Sequence, residues 1–156
     1  MYKKKVIFVL LCFICMISFM GCGKDESQDE ELKMIDVSID AQEMIDETGK
    51  IAFSIATNLP DETELMLTLT ENGGNYRGQG KVVIKDNAGI SEKFSQKGDA
   101  LPAGQYKLDI SMSLAKFQTE SVQSVIGVDG EYLTGDLVKQ DDMGNHVSAS
   151  YEFEIK

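Results

Sequence analysis

His146 is the only histidine in the chain, and two serines, Ser148 and Ser150, follow it at strand spacing. A serine–histidine–acid triad would have to be built on it, with the imidazole taking the serine proton and an acid fixing its tautomer. Neighbouring positions of one strand do not converge in that way, and no Gly-x-Ser-x-Gly turn surrounds either serine. The expectation is a solvent-facing histidine at the start of a strand. Met143 and His146 offer a thioether and an imidazole, which suit copper, but two ligands do not make a site. Hard oxygen donors are denser. Asp136, Asp141, Asp142 and Asn145 fall in one glycine-containing stretch, and such groups are calcium ligands. The run Asp141-Asp142-Met143-Gly144-Asn145 lacks the alternating ligand positions and closing bidentate glutamate of a calcium loop. It reads first as a solvated acidic loop and only second as a calcium site. A glycosidase-type pair would need two carboxylates brought together by the fold, and abundance of acids does not supply that. Gly73-Gly74 and Gly78-x-Gly80 lack the Lys-Ser/Thr ending of a phosphate loop, so the region from Asn72 to Gly80 reads as a long hairpin turn. Within it, Tyr76 and Arg77 are residue types enriched at binding hot spots, which marks this loop as the candidate partner-binding surface.

The elements that must position these residues are strands. Ile35, Val37 and Ile39 alternate with Asp36, Ser38 and Asp40; Ile51, Phe53 and Ile55 with Ala52, Ser54 and Ala56; and Leu65, Leu67 and Leu69 with Met66, Thr68 and Thr70. Period-two alternation puts one face on a core and the other toward water. Asp46-Glu47-Thr48-Gly49 and Asn58-Leu59-Pro60-Asp61 read as turns between them. A short strand is expected over Lys81–Lys85, and another over Ile90–Phe94 with Ile90 and Phe94 inward. The clearest pattern follows: Tyr106, Leu108, Ile110, Met112 and Leu114 share one face. It is mirrored at the end by Val147, Ala149, Tyr151, Phe153 and Ile155. Between them, residues 119–135 allow two readings. Asp129-Gly130 favours a two-residue hairpin turn, whereas Val122, Val125 and Ile126 suit one face of a short helix starting near Thr119. The hairpin is the expectation.

Composition excludes several chemistries. The three cysteines are Cys12, Cys15 and Cys22, so nothing after Cys22 can form a disulfide, a thiolate metal site or a thiol nucleophile. The formal charge is −11, with a single arginine. Such a surface repels nucleic acid and anionic headgroups, and nucleic-acid binding is not expected.

The first 21 residues have the build of an export signal. Lys3, Lys4 and Lys5 precede an apolar run from Val6 to Met20 that only Ser18 interrupts. The run is shorter than the roughly 20 apolar residues of a membrane-spanning helix. It closes on Phe19-Met20-Gly21-Cys22, followed by the polar Gly23-Lys24-Asp25-Glu26. That junction resembles the lipobox of bacterial lipoproteins, with Phe19 where the family usually has Leu and Met20 where a small residue is commoner. The resemblance implies that Cys22 carries a diacylglycerol thioether and becomes the first residue after cleavage. Three lysines and no acid leave with residues 1–21, which takes the charge from −11 to −14. The polar, acid-rich residues 22–33 then read as a flexible tether. The domain is expected over 34–156.

About seven short strands separated by turns suggest an all-β fold, an antiparallel two-sheet sandwich. Leu101-Pro102-Ala103-Gly104-Gln105-Tyr106 resembles the tyrosine corner of immunoglobulin-like sandwiches, which implies a hydrogen bond from Tyr106 to backbone a few residues upstream. The expected protein is lipid-anchored through Cys22 on the extracytoplasmic face of the cell membrane. It is expected to bind a protein, peptide or envelope component, without catalysis and without a cofactor. Ion binding at Asp136–Asn145 is the second expectation, and a hydrolase with a carboxylate site the third.

Overall fold

The computed structural model describes residues 33–156; the expected signal over residues 1–21, Cys22 and nearly all of the expected tether lie outside them. Alternating apolar residues form ten strands: β1 (Ile35–Asp36), β2 (Ile39–Ile45), β3 (Ile51–Thr57), β4 (Glu64–Glu71), β5 (Arg77–Val83), β6 (Ala88–Ile90), β7 (Gly104–Met112), β8 (Leu133–Thr134), β9 (Val138–Asp141) and β10 (Gly144–Ile155). A short helix, α1 (Glu120–Ile126), is the only α-helix among the described residues. The fold is all-β. Two antiparallel sheets carry it, one in the order β5-β4-β7-β10-β9 and one in the order β2-β3-β6; β1 and β8 form a separate parallel pair.

The inner residues of both sheets enter one hydrophobic core. Ile51, Phe53 and Ile55 of β3 meet Leu65, Leu67 and Leu69 of β4, Leu108 and Ile110 of β7, and Val147 of β10, all at most 2% exposed. Phe53 sits between the sheets, its ring centroid 5.6 Å from Phe94 and 5.6 Å from Phe153, both edge-on. With no cysteine in this part of the chain, burial at roughly 1.5–3 kcal/mol per large apolar side chain is the main stabilising term.

The connections depart from the expected pattern in four places. The first alternating run is not one strand. Ile35 and Asp36 pair in parallel with Leu133 and Thr134, and only from Ile39 does the chain join β3. Residues 119–135 form a helix followed by a turn, which corrects the expected hairpin. Thr119 caps α1, its hydroxyl accepting the Val122 N–H, and Val122 and Ile126, one turn apart, are fully buried. Gly127 ends it with φ +88°, a left-handed conformation that glycine adopts without steric cost. The third departure is that β5 begins at Arg77, so Gly78 and Gly80 lie in a strand and the turn shrinks to Asn72–Asn75. The fourth is Ile90, 63% exposed. In β6 the inward position belongs to Gly89, where a Cβ would come within 2.5 Å of the Val82 side chain.

One buried amide substitutes for a missing strand residue. Beyond Met112 the chain leaves β7, and the Gln118 side chain takes over: its Oε1 accepts the Glu64 N–H at 2.9 Å and its Nε2 donates to the Glu64 carbonyl at 3.0 Å. Gln118 is 7% exposed, so these bonds satisfy backbone groups at the start of β4 that burial would otherwise leave costly.

Asp46 closes the β2–β3 hairpin. Its Oδ1 accepts the N–H of Thr48 at 2.8 Å and of Lys50 at 3.1 Å and the Thr48 hydroxyl at 2.7 Å, and Lys93 Nζ lies 2.8 Å from Oδ2. The Lys93 ammonium, and then the Thr48 hydroxyl, hold this carboxyl well below the usual carboxylate range. A depressed folded pKa gives a contribution to stability that is complete above the ordinary value of 3.8 and is lost as pH falls below it. In an NMR titration the Asp46 carboxyl carbon is expected to stay ionised through pH 3.8. Lys93→Met should move its midpoint upward; an unmoved midpoint would assign the depression to the turn alone.

Candidate binding surface

The two residues of the expected binding loop part company. Tyr76 lies in the core at 9% exposure, its ring centroid 6.2 Å from that of Tyr106, and burial pushes its phenol pKa up. It is a packing residue and is not available to a partner, which corrects its expected role. Arg77, the next residue, is exposed. Strand alternation separates them: consecutive residues point to opposite faces.

Cross-strand register places Arg77 in a polar row. It pairs with Thr70, Thr70 with Lys107, and Lys107 with Glu152. The adjacent row runs Gln79, Thr68, Asp109 and Ser150. Asp109 Oδ1 lies 2.8 Å from Lys107 Nζ and accepts the Ser150 hydroxyl at 2.5 Å. Burial pushes the Asp109 pKa up, but Lys107 and Ser150, with Arg77 nearby, hold it below the ordinary value. These two rows make a polar strip of hydroxyls, amides and charges across the outer face of the five-stranded sheet. Its rows depend on register, for which the sequence carries no local signal.

The acidic loop resolves into a tight hairpin. Asp141 pairs with Gly144, leaving Asp142 and Met143 at the tip, and Gly144 has φ +115°. Asp141 turns back on its own hairpin: Oδ1 accepts the Met143 N–H at 2.8 Å and Oδ2 lies 3.6 Å from His146 Nδ1. Asn145 Nδ2 donates to the Gly130 carbonyl at 3.1 Å. Asp136 lies between β8 and β9, and its backbone carbonyl accepts the Lys139 ammonium at 3.0 Å. Among the described residues no three His, Cys, Asp or Glu side chains gather closely enough to share an ion. His146 is half-buried, and its Nδ1 is shielded from solvent with no hydrogen-bond partner among the described residues, in place of the expected solvent-facing ring. Ser150 is held by Asp109, and Ser148 lies two strand residues from His146, about 7 Å along the chain, so no triad assembles.

In one surface groove both carboxylates are likewise engaged. A groove of about 520 Å³ is lined by Asp61, Glu62, Val83, Ile84, Lys85 and Ser121. Asp61 accepts the Asp86 N–H at 2.8 Å, and Glu62 accepts the Ser121 hydroxyl.

Tyr106 is fully buried at the start of β7, and its hydroxyl donates to the Pro102 carbonyl at 3.0 Å. Its ring stacks on Phe153 with centroids 5.9 Å apart. Burial first, then the Glu71 carboxylate, raise its pKa, so the donor is kept protonated. No protein-family model, curated protein or solved structure matches the chain.

Proposed function

We propose that this chain is an exported lipoprotein held by lipid on Cys22 at the extracytoplasmic face of a membrane, and that its β-domain binds a protein, peptide or envelope component without catalysis. The observation that carries the anchor is the ordered series Lys3–Lys5, Val6–Met20 and Gly21-Cys22, followed at once by a polar, acid-rich stretch. Two acyl chains are enough for stable attachment, because each buried methylene contributes about 0.8 kcal/mol and a single chain binds only marginally. An immunoglobulin-like sandwich is the reading of the domain supported by the three-stranded and five-stranded sheets sharing one core and by the Tyr106–Pro102 hydrogen bond. A binding role is supported by the polar rows around Arg77 on the outer sheet face and by the turning of the Asp61, Glu62 and Asp109 carboxylates to structural partners.

Two measurements test the reading. A clickable fatty acid should label the wild-type chain in cells, and Cys22→Ala should lose the label and pass from the membrane to the soluble fraction. Persistent label in Cys22→Ala would sink the anchor. Crosslinking in intact cells should trap the domain on an envelope component, and Arg77→Ala should reduce the yield at an unchanged melting temperature if the outer sheet face is the contact.

A further inference from the structure

Strand β2 is an open sheet edge. Among the described residues it pairs with β3 alone. Which of its backbone groups are free follows from hydrogen bonds at its two ends. Opposite Ile39, Thr57 turns its N–H away from β2, to the Asn87 carbonyl. Opposite Ile45, Ile51 likewise turns its N–H away, to the Phe94 carbonyl. Both are therefore non-hydrogen-bonded pairs, in which the β2 residue also points its N–H and C=O away from its partner strand. Alternation extends this to Ala41 and Glu43. The Ile39 carbonyl is taken by the Tyr151 hydroxyl from the facing sheet. Among the described residues Ala41, Glu43 and Ile45 are left as an unpaired ladder.

The other sheet edges are blunted. β6 and β9 are short, three and four residues. β5 is seven residues long, but it is interrupted by Gly78 and Gly80 and carries Arg77 and Lys81. Short strands and charged side chains, lysine above all, are the usual protection against strand addition; the acids of β2 oppose an acidic strand and not a cationic one. β2 is seven residues long and has no proline and no cation. It exposes Met44 at 46% and Ile45 at 58%. Its charges are all of one sign: Asp40 on the outer side, Glu43 on the side toward the other sheet, and Glu47 in the turn beyond. None of the three forms a salt bridge among the described residues, whereas Asp46 is already committed to Lys93.

We infer that β2 takes up an extended, cationic segment of another protein as a fourth strand of the three-stranded sheet. The backbone of the segment completes the ladder at Ala41, Glu43 and Ile45. In an alternating segment the cations share one face: they meet Asp40 while apolar residues cover Ile45 on the other face, or, one residue out of register, they meet Glu43 while apolar residues cover Met44. In strand addition the main chain supplies affinity and alternate side chains supply specificity. A second copy of β2 would bring the same acids to an already acidic surface, which is why the occupant is cationic. This inference rests on the binding role proposed above and names the surface and partner class for it.

The test uses the full chain in phosphatidylcholine nanodiscs, with an eight-residue alternating Lys-Val peptide and its Glu-Val counterpart as probes. The Lys-Val peptide should slow hydrogen exchange at the Ala41, Glu43 and Ile45 amides at least tenfold, and the Glu-Val peptide should leave them unchanged. Glu43→Pro removes an outward N–H that β3 does not use and should abolish that protection while the Gln42 and Met44 amides stay protected. Asp40→Lys combined with Glu43→Lys leaves the backbone intact and should weaken binding at least tenfold. Equal protection by both peptides would overturn the inference, as would Lys-Val binding that leaves those three amides exchanging freely. Concentration-dependent protection without peptide, lost in Glu43→Pro, would assign the edge to a second copy and overturn it too. An envelope partner still trapped by Glu43→Pro in cells would remove the edge and leave the wider binding role standing, whereas a wild-type chain that traps nothing in cells and gains no protection from the Lys-Val peptide would remove both.

Discussion

Phe53→Ala is expected to destabilise the domain by about 3–5 kcal/mol, as large-to-small changes at a buried aromatic do. Phe53 is 2% exposed and bridges the sheets through edge contacts to Phe94 and Phe153. Truncation removes one member of both pairs and opens a cavity where β3 faces β10, and neither sheet can collapse into it without breaking register. Small domains have roughly 5–15 kcal/mol of total stability, and no disulfide is available to offset the loss. The melting temperature should fall by roughly 10–20 °C, and the urea midpoint should fall with an unchanged slope if the native state keeps its compactness. Phe53→Leu should recover more than half of the loss. A drop below about 1 kcal/mol for Phe53→Ala would mean that the two sheets do not share the core described here.

Gly78→Val should cost about 3 kcal/mol, at the upper end of overpacking effects. Gly78 points inward from β5, and a Cβ there would lie 2.5 Å from the Tyr76 hydroxyl oxygen and 2.9 Å from Phe94 Cδ1. Phe94 fills the space that a side chain on β5 would otherwise occupy; at Gly80 the corresponding approach is 3.2 Å to Phe94 Cζ. Neither neighbour can give way, because Tyr76 packs on Tyr106 and Phe94 on Phe53. The neighbouring Gln79 points outward and is exposed, so Gln79→Val should change stability by less than about 0.5 kcal/mol. Equal effects at the two positions in chemical unfolding would show that β5 is not seated under Phe94.

Patterns with a local cause were legible before any coordinates. Side chains alternate along a strand with a period of two, so the buried faces of β3, β4, β7 and β10 follow from residue order. The Tyr106 hydrogen bond to Pro102 spans four residues and is written in the local motif. Cysteine count and the three-part N-terminus are likewise properties of order alone, and the anchor proposed at Cys22 rests on them.

Only the tertiary structure decided the rest. Val122, Val125 and Ile126 satisfy both a helical face and a strand flanking Asp129-Gly130; the helix wins because Val122 and Ile126 reach the core while Leu133 and Thr134 pair with β1. Ile90 faces outward because Gly89 holds the inner position of β6, a choice set by its neighbours across the sheet. Tyr76 and Arg77 both looked like loop residues until β5 was seen to begin at Arg77. The polar rows beside Arg77 and the open ladder at Ala41, Glu43 and Ile45 depend on which strand lies next to which. Pairing joins residues far apart in the chain, and its energy comes from packing and backbone hydrogen bonds that no single stretch of sequence contains. Residue order determined the main strands β3, β4, β7 and β10 and which of their faces are apolar; long-range pairing determined the remaining elements, which edge stays free and which side chains remain at the surface.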